Sequence, residues 1–299
     1  MTNYQRAICY SGYRTGQSPI TGFYPSYDDV KEDLLLLDPH WDLIRIYDCS
    51  EHANLVLRAI TDESINLKVM LGVDLRAEIN NLECPWGGTC SAEQLECNRK
   101  HNDAEINQLI KLSNAFPDQV FAISIGNEAS VDWTDHLVSV ERLVELASRV
   151  KSATQAQVTF CDNYVPWTQK LQPLAQIIDI ISVHTYPVWE YQSLENAISY
   201  TEQNYFSVAN AYPNKKVIIT EAGWTTQSNG RGIEPHNVSV EHQYTYLKNL
   251  MRWSREMGVI TFVFEAFDEP WKGSEDPLEP EKHWGIYYVD RTPKHEKIR

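Results

Sequence analysis

Several things are scarce in this 299-residue sequence, and each absence narrows the reading. No stretch approaches the ~18 consecutive apolar residues of a membrane-spanning helix. The first residues, Met1 to Arg6, lead into a strand-like run without the apolar core of a secretion signal. Basic residues are few, 26 Lys and Arg against 41 Asp and Glu, for a net charge of −15. Such a field repels polyphosphate and anionic lipid surfaces, so neither nucleic acid nor membrane is expected as a partner. Glycines do not gather into a phosphate loop. The only candidate, Ser11-Gly12-Tyr13-Arg14-Thr15-Gly16, has the wrong spacing. There is no His-Glu-x-x-His pair for zinc and no Gly-x-Ser-x-Gly nucleophile elbow. No Pro/Ser-rich linker or shift in composition divides the chain, which reads as one domain over 1–299.

Cysteine is also sparse. Cys9, Cys49 and Cys161 sit in or beside apolar runs and read as buried thiols. Cys84, Cys90 and Cys97 share a polar stretch whose spacing leaves room for one disulfide with one thiol left over and matches no zinc pattern.

Aromatic residues, in contrast, are plentiful: 9 Trp, 16 Tyr and 8 Phe. Flat rings serve equally as core or as surfaces on which sugars stack. A recurrent architecture also runs along the chain. Short β-branched runs occur at 6–10, 43–47, 68–73, 120–125, 156–160, 178–183, 216–220 and 259–264. Helix-periodic segments alternate with them at 28–37, 52–64, 101–116, 135–153, 193–210 and 239–257, and the segment after the fifth run is short. Near-continuously apolar strands alternating with helices predict a parallel α/β sheet. Eight such units fit a closed (β/α)8 (TIM) barrel, with any eighth helix short or missing because the chain ends soon after the last run.

In such a barrel the chemistry gathers where strands end. Those positions are unusually polar: Asp48, Asp74, Asn127-Glu128, Asp162-Asn163, His184, Tyr186, Glu221, and the run from Glu265 to Glu269. A single terminal carboxylate is usually just solvated. Glu128 and Glu221, however, directly follow buried-looking strands, where a charge is costly unless partnered or used. Two carboxyl groups facing each other across a barrel mouth suit glycoside cleavage, one as proton donor and the other as ionised nucleophile. Arg45, in a strand interior, reads as the ion partner that keeps Glu221 charged, with Asp48 or Asp74 as its alternatives. His184 has no second histidine at ligand spacing and reads as a hydrogen-bonding residue of the site.

Gly126-Asn127-Glu128 resembles the fourth-strand motif of the retaining (β/α)8 glycosidases, and Thr220-Glu221-Ala222-Gly223-Trp224 resembles the seventh-strand motif of glycoside hydrolase family 17. The first two strands (Ile8-Cys9-Tyr10; Arg45-Ile46-Tyr47-Asp48) are similar to that family's. So is the eighth-strand region, Phe267-Asp268-Glu269-Pro270-Trp271-Lys272 with Glu281-Lys282-His283-Trp284-Gly285-Ile286. The resemblance implies Glu128 as acid/base, Glu221 as nucleophile and Asn127 as a ligand of the sugar 2-hydroxyl. It places Glu269, Lys272 and Glu281 along the cleft. Tyr10, Tyr186, Trp224, Trp271 and Trp284 are expected on the substrate, and Arg45, Asp48 and His184 in support. Six tryptophans (Trp133, Trp167, Trp189, Trp224, Trp271, Trp284) follow strands, and about half are expected as sugar platforms by analogy with ring stacking on bases, Trp271 and Trp284 foremost. The implied partner is a β-1,3-glucan, hydrolysed in an endo-acting manner with retention, with glucanosyl transfer as the alternative and a non-catalytic sugar-binding barrel as the distant one. No cofactor or metal is implied, a monomer is expected, and the substrate class favours a periplasmic or extracellular site. The stretch from Cys84 to Cys97 is not a familiar part of that family's pattern.

Overall fold

The computed structural model describes residues 4–295. Eight parallel strands close into a barrel in sequence order: β1 (Arg6–Cys9), β2 (Leu43–Arg45), β3 (Lys68–Leu71), β4 (Val120–Asn127), β5 (Gln157–Asn163), β6 (Ile180–His184), β7 (Lys216–Gly223) and β8 (Thr261–Phe264). β1 pairs with both β2 and β8, which closes the ring. The helices outside it are α1 (Tyr27–Leu37), α2 (Glu51–Asp62), α3 (Ala92–Ala115), α4 (Val140–Ala153), α5 (Tyr164–Gln169), α6 (Gln172–Ile177), α7 (Ala197–Ala211) and α8 (Val240–Met257). This is the (β/α)8 barrel that the alternation predicts.

Local chemistry sets the boundaries. Serines cap four helices: Ser26, Ser91, Ser139 and Ser239 each accept from a backbone N–H of the first turn, and Ser26 forms a full capping box with Asp29. α8 stops at Gly258, whose φ of 67° is the left-handed conformation glycine adopts cheaply. Ile8, Ile44, Val69, Ile123, Phe160, Ile181, Ile218 and Phe262 are fully or almost fully buried, because strands in this sheet are covered by the helices on one side and by each other on the other.

One boundary moves and two open points are decided. α3 begins at Ala92, nine residues earlier than the periodicity suggests, and takes in Cys97. All six cysteines are free thiols, so no disulfide staples this region. After β8, as the sequence leads one to expect, no further α-helix follows among the described residues; an irregular segment takes that place, containing a 3-10 turn at Pro280–Lys282. It is tied to the barrel by Ala266 N–H donating to Cys9 O (2.9 Å) and Glu265 N–H to Trp284 O (3.2 Å). Farther on, Arg291 donates to the buried Asp33 of α1 (2.6 Å) and Lys294 to Asp268 (2.7 Å). Gly223 passes so close to this region that a Cβ there would stand 2.1 Å from Phe264 O.

Candidate active site

The site is assembled at the carboxyl ends of the strands. β6 and β7 are in register with His184 opposite Glu221, and the Glu128 N–H donates to Cys161 O of β5 at 2.9 Å. One oxygen of Glu128, one of Glu221 and one nitrogen of His184 all lie within 4.8 Å of one another. The two glutamates therefore face each other across one small gap.

Their environments differ. Glu221 is buried, and its carboxylate is saturated: Oε1 accepts from Arg45 Nη1 (2.6 Å) and Tyr47 Oη (3.0 Å), Oε2 from Tyr186 Oη (2.5 Å). Burial alone would raise its pKa, but the charges of His184 and Arg45 and the Tyr186 bond hold it below the ordinary carboxylate value. Glu128 is open to solvent, with 28% of its side chain exposed, and Oε1 accepts from His184 Nδ1 at 2.9 Å. Its φ is +46°, a conformation that costs an ordinary residue roughly 1–3 kcal/mol and that the surrounding structure must impose.

Arg45 organises the centre. Besides Glu221 it donates Nη2 to Asn127 Oδ1 (2.5 Å), which fixes the amide orientation and leaves the Asn127 NH2 group as the donor available to a ligand. His184 is completely buried. Burial opposes its charge, but Glu221, Cys161 and Glu128 together raise its pKa to about 10. The same neighbourhood acts on Cys161: burial pushes the thiol up, Arg45 and His184 pull it down, and the balance falls at about 7. Asp162, buried behind Glu128 and bonded to Ser130 (2.6 Å), is raised to about 7 by burial and by the Glu128 charge. Glu128, His184 and Glu221 present ligand atoms close enough for a metal ion, but the Arg45 guanidinium already occupies Glu221 Oε1 and would repel one.

Beside Glu221 opens a cavity of about 310 Å³ lined by Tyr13, Asp48, Asn127, Phe264, Glu269 and Trp271 among others. Glu128 is not part of its wall, so the cavity lies on the Glu221 side of the gap. Trp271 stands over it, its Nε1 donating to buried Glu269 (3.0 Å), and touches Tyr13 edge-on at 6.0 Å between ring centres. Lys272 reaches the cavity but is held by Glu265 (3.0 and 3.2 Å) and by Glu269. Burial and the neighbouring Glu269 raise the Glu265 pKa well above normal, against the pull of Lys272.

Arg45, Asn127, Glu128, His184, Tyr186 and Glu221 thus come together, while Asp48, Glu269, Trp271 and Lys272 line the adjoining cavity. Burial raises the Glu281 pKa against the pull of the nearby Lys272, and the residue does not line the cavity. Two expected sugar contacts are corrected, and a third reaches the cavity only through its wall. Trp224 and Trp284 have no exposed surface. The Trp224 indole is turned away to donate to Asn237 O, and Trp284 packs edge-on behind Tyr186 with ring centres 5.1 Å apart. Tyr10 is buried too, its hydroxyl spent on Asp33 (3.1 Å), and meets the cavity only as part of its wall. Trp167 is likewise fully buried, and Trp189 packs against Trp284 at 6.2 Å.

Other site residues went unread in the sequence. Tyr47 is two residues beyond Arg45, so strand alternation alone puts both on the same face and was the available signal. Tyr13 and His52, stacked with ring centres 5.2 Å apart, gave no such signal because a turn and a helix bring them to the cavity. His136 donates Nε2–H to Asn127 O (3.0 Å) and is paired with Asp135 (2.8 Å), tying the loop after Glu128 back onto the site.

This arrangement has known counterparts. A family model described as the BtgE/BtgC glycoside hydrolase domain matches residues 7–285. The chain belongs to this family, which is of the glycoside hydrolase family 17 type. Within it, the chain is 24% identical over 95% of its length to a glucan 1,3-beta-glucosidase of Arthroderma benhamiae, covering 88% of that protein. It is 27% identical to a putative glucan endo-1,3-beta-glucosidase btgC of Aspergillus niger, where 90% of this chain spans 40% of the relative. Among solved structures, an endo-laminarinase from Formosa Hel1_33_131 superposes with a TM-score of 0.81 at 26% identity, covering 96% of this chain and 84% of that one. A family 17 beta-1,3-glucanosyltransferase from Rhizomucor miehei shares the fold, with a TM-score of 0.75 at 22% identity over 96% and 94% of the two chains. In this BtgE/BtgC-type barrel the glutamates after β4 and within β7 occupy the positions where the chemistry of such folds resides.

Proposed function

We propose that this chain is an endo-acting β-1,3-glucan hydrolase that works with retention by double displacement. The observation that carries the reading is the asymmetric pair: a buried, cation-paired Glu221 and a part-exposed Glu128, with one oxygen of each within 4.8 Å of the other. Retention requires carboxyl groups about 5–5.5 Å apart, whereas inversion needs roughly 6.5–9.5 Å to admit a water. The short gap supports retention.

In the first step Glu221 attacks the anomeric carbon of a sugar seated in the cavity, while Glu128 protonates the departing glycosidic oxygen. The Oε1 of Glu128 is engaged by His184, which leaves Oε2 to carry that proton. A water then enters, gives its proton to Glu128, and displaces Glu221 from the sugar. Arg45, Tyr47 and Tyr186 keep Glu221 ionised in a place where burial would otherwise neutralise it. The free NH2 of Asn127 is placed for the sugar 2-hydroxyl. Asp48, Asp74 and Glu269 line the cavity, and its one lysine is already paired, so a neutral hexose is accepted and a uronate repelled. The names of the Arthroderma and Formosa relatives support β-1,3-glucan as the polymer and, for the latter, cleavage within the chain.

The test is product analysis on a linear β-1,3-glucan, with NMR of the first-formed anomer. We expect shortened oligosaccharides with the β-anomer first and no turnover by Glu221→Ala. An α-anomer first would overturn retention, glucose alone would overturn endo action, and products longer than the substrate would assign glucanosyl transfer instead.

A further inference from the structure

Large apolar side chains left in solvent are unevenly distributed on this molecule. Four gather on two loops of the catalytic face: Ile79 (40% exposed), Leu82 (82%) and Trp86 (65%) between β3 and α3, and Trp133 (38%) between β4 and α4. Large apolar side chains exposed on neighbouring loops of one face mark a candidate contact site.

The two loops form one built surface. Asn81 Nδ2 donates to both Asp132 O and Thr134 O at 2.8 Å. Cys84 Sγ donates to Trp133 O at 3.0 Å, so a buried thiol, not a disulfide, fastens Trp133 to the stretch that carries Trp86. A Cβ on Gly87 would stand 3.4 Å from Asp135 Cβ, and Ile79 N–H donates to Leu137 O at 3.2 Å. Through His136 and Asn127 O this surface continues into the active site, since Glu128 itself opens the β4–α4 loop.

We propose that Trp86 and Trp133 form a platform on which the β-1,3-glucan stacks beyond Glu128, on the leaving-group side of the cleft; this rests on the function proposed above. The donor sugar occupies the cavity beside Glu221, which excludes Glu128 from its wall, so the bond being cut lies between them and the rest of the polymer must continue past Glu128. The loops met there are the ones bearing these indoles. Tryptophan faces suit the C–H surfaces of glucosyl rings, and the surrounding Glu83, Asp132 and Asp135 carboxylates can accept sugar hydroxyls while adding no charge that a neutral polymer would resist. A sugar polymer is favoured over a protein partner by this continuity with the cleft.

The experiment compares Trp86→Ala and the double variant Trp86→Ala/Trp133→Ala with the parent on a long β-1,3-glucan and on an aryl β-laminaribioside, with size-exclusion chromatography of each. Both substitutions are at the surface, and a melting curve confirms that the fold is kept. We expect the ratio of kcat/KM for the polymer to kcat/KM for the short substrate to fall roughly tenfold or more in the double variant, mostly through KM. An unchanged ratio overturns the platform. A parent dimer that the substitutions dissolve would assign the patch to a second copy of the chain and overturn it as well. If the parent cleaves neither substrate, the failure is that of the proposed function, and binding of the polymer by Glu221→Ala with and without the two tryptophans decides the platform on its own: equal binding sinks it.

Discussion

Replacing Arg45 by methionine keeps much of the side-chain volume and removes one charge from the centre of the site. Arg45 is 1% exposed and Glu221 5%, with 2.6 Å between them. Removing one member of a buried pair leaves the other uncompensated, at a cost of about 3–5 kcal/mol. For a domain of this size that lowers Tm by on the order of 5–10 °C. The pH dependence carries more information. In the parent, burial raises the Glu221 pKa, but His184, Arg45 and the Tyr186 bond outweigh it and leave the carboxyl below its ordinary value. Its ionised form therefore stabilises the fold above the unfolded carboxylate pKa of about 4.3, and that contribution is lost as pH falls through the lower folded value. Without Arg45 the effect of burial gains ground and the folded pKa moves up. The acid limb of kcat/KM should shift to higher pH, and the Tm deficit should be larger at pH 7 than at pH 4. Rates across pH 3–8 and thermal unfolding at both pH values are the measurements. An acid limb that stays in place, together with a Tm deficit equal at the two pH values, would refute the assignment of Arg45 as the group that keeps Glu221 charged.

Two further expectations rest on the same geometry. Glu128→Ala should lower kcat on β-1,3-glucan by roughly 10²–10⁴ but much less on an aryl glycoside whose leaving group needs no proton; equal losses on both would remove Glu128 from proton donation. Arg291→Ala strands the fully buried Asp33, which Arg291 contacts through two 2.6 Å bonds, and should cost about 3–5 kcal/mol in urea unfolding; a loss below about 1 kcal/mol would mean that Arg14, 3.3 Å away, suffices.

The strands were legible because each is a short apolar run, and their polar termini named most of the cluster around Glu221. What sequence could not supply was direction. Trp224 and Trp284 lie next to site residues in sequence, yet their side chains turn into the packing between the sheet and the segments outside it. Adjacency to a strand end says nothing about which way a ring points once the regular alternation stops. The start of α3 was hidden for another reason: its first turns carry Glu93, Glu96 and Cys97 with little apolar rhythm, and only Ser91 with Gln94 three residues on marked the cap. The joining of the two tryptophan-bearing loops depends on side chains bonding to carbonyls some 50 residues away, which periodicity cannot register.

The segment after β8 stands where a helix would complete the eighth unit, and the same stretch supplies Glu269, Trp271 and Lys272 to the cavity. One length of chain thus covers the barrel where a helix is missing and shapes one end of the cavity, so a substitution that loosens one task loosens the other. Reshaping the cavity at Lys272 therefore also disturbs the buried Glu265 and Glu269 that it holds. The rim on the β3–α3 and β4–α4 loops carries no such double duty, because strand pairing closes the ring without it.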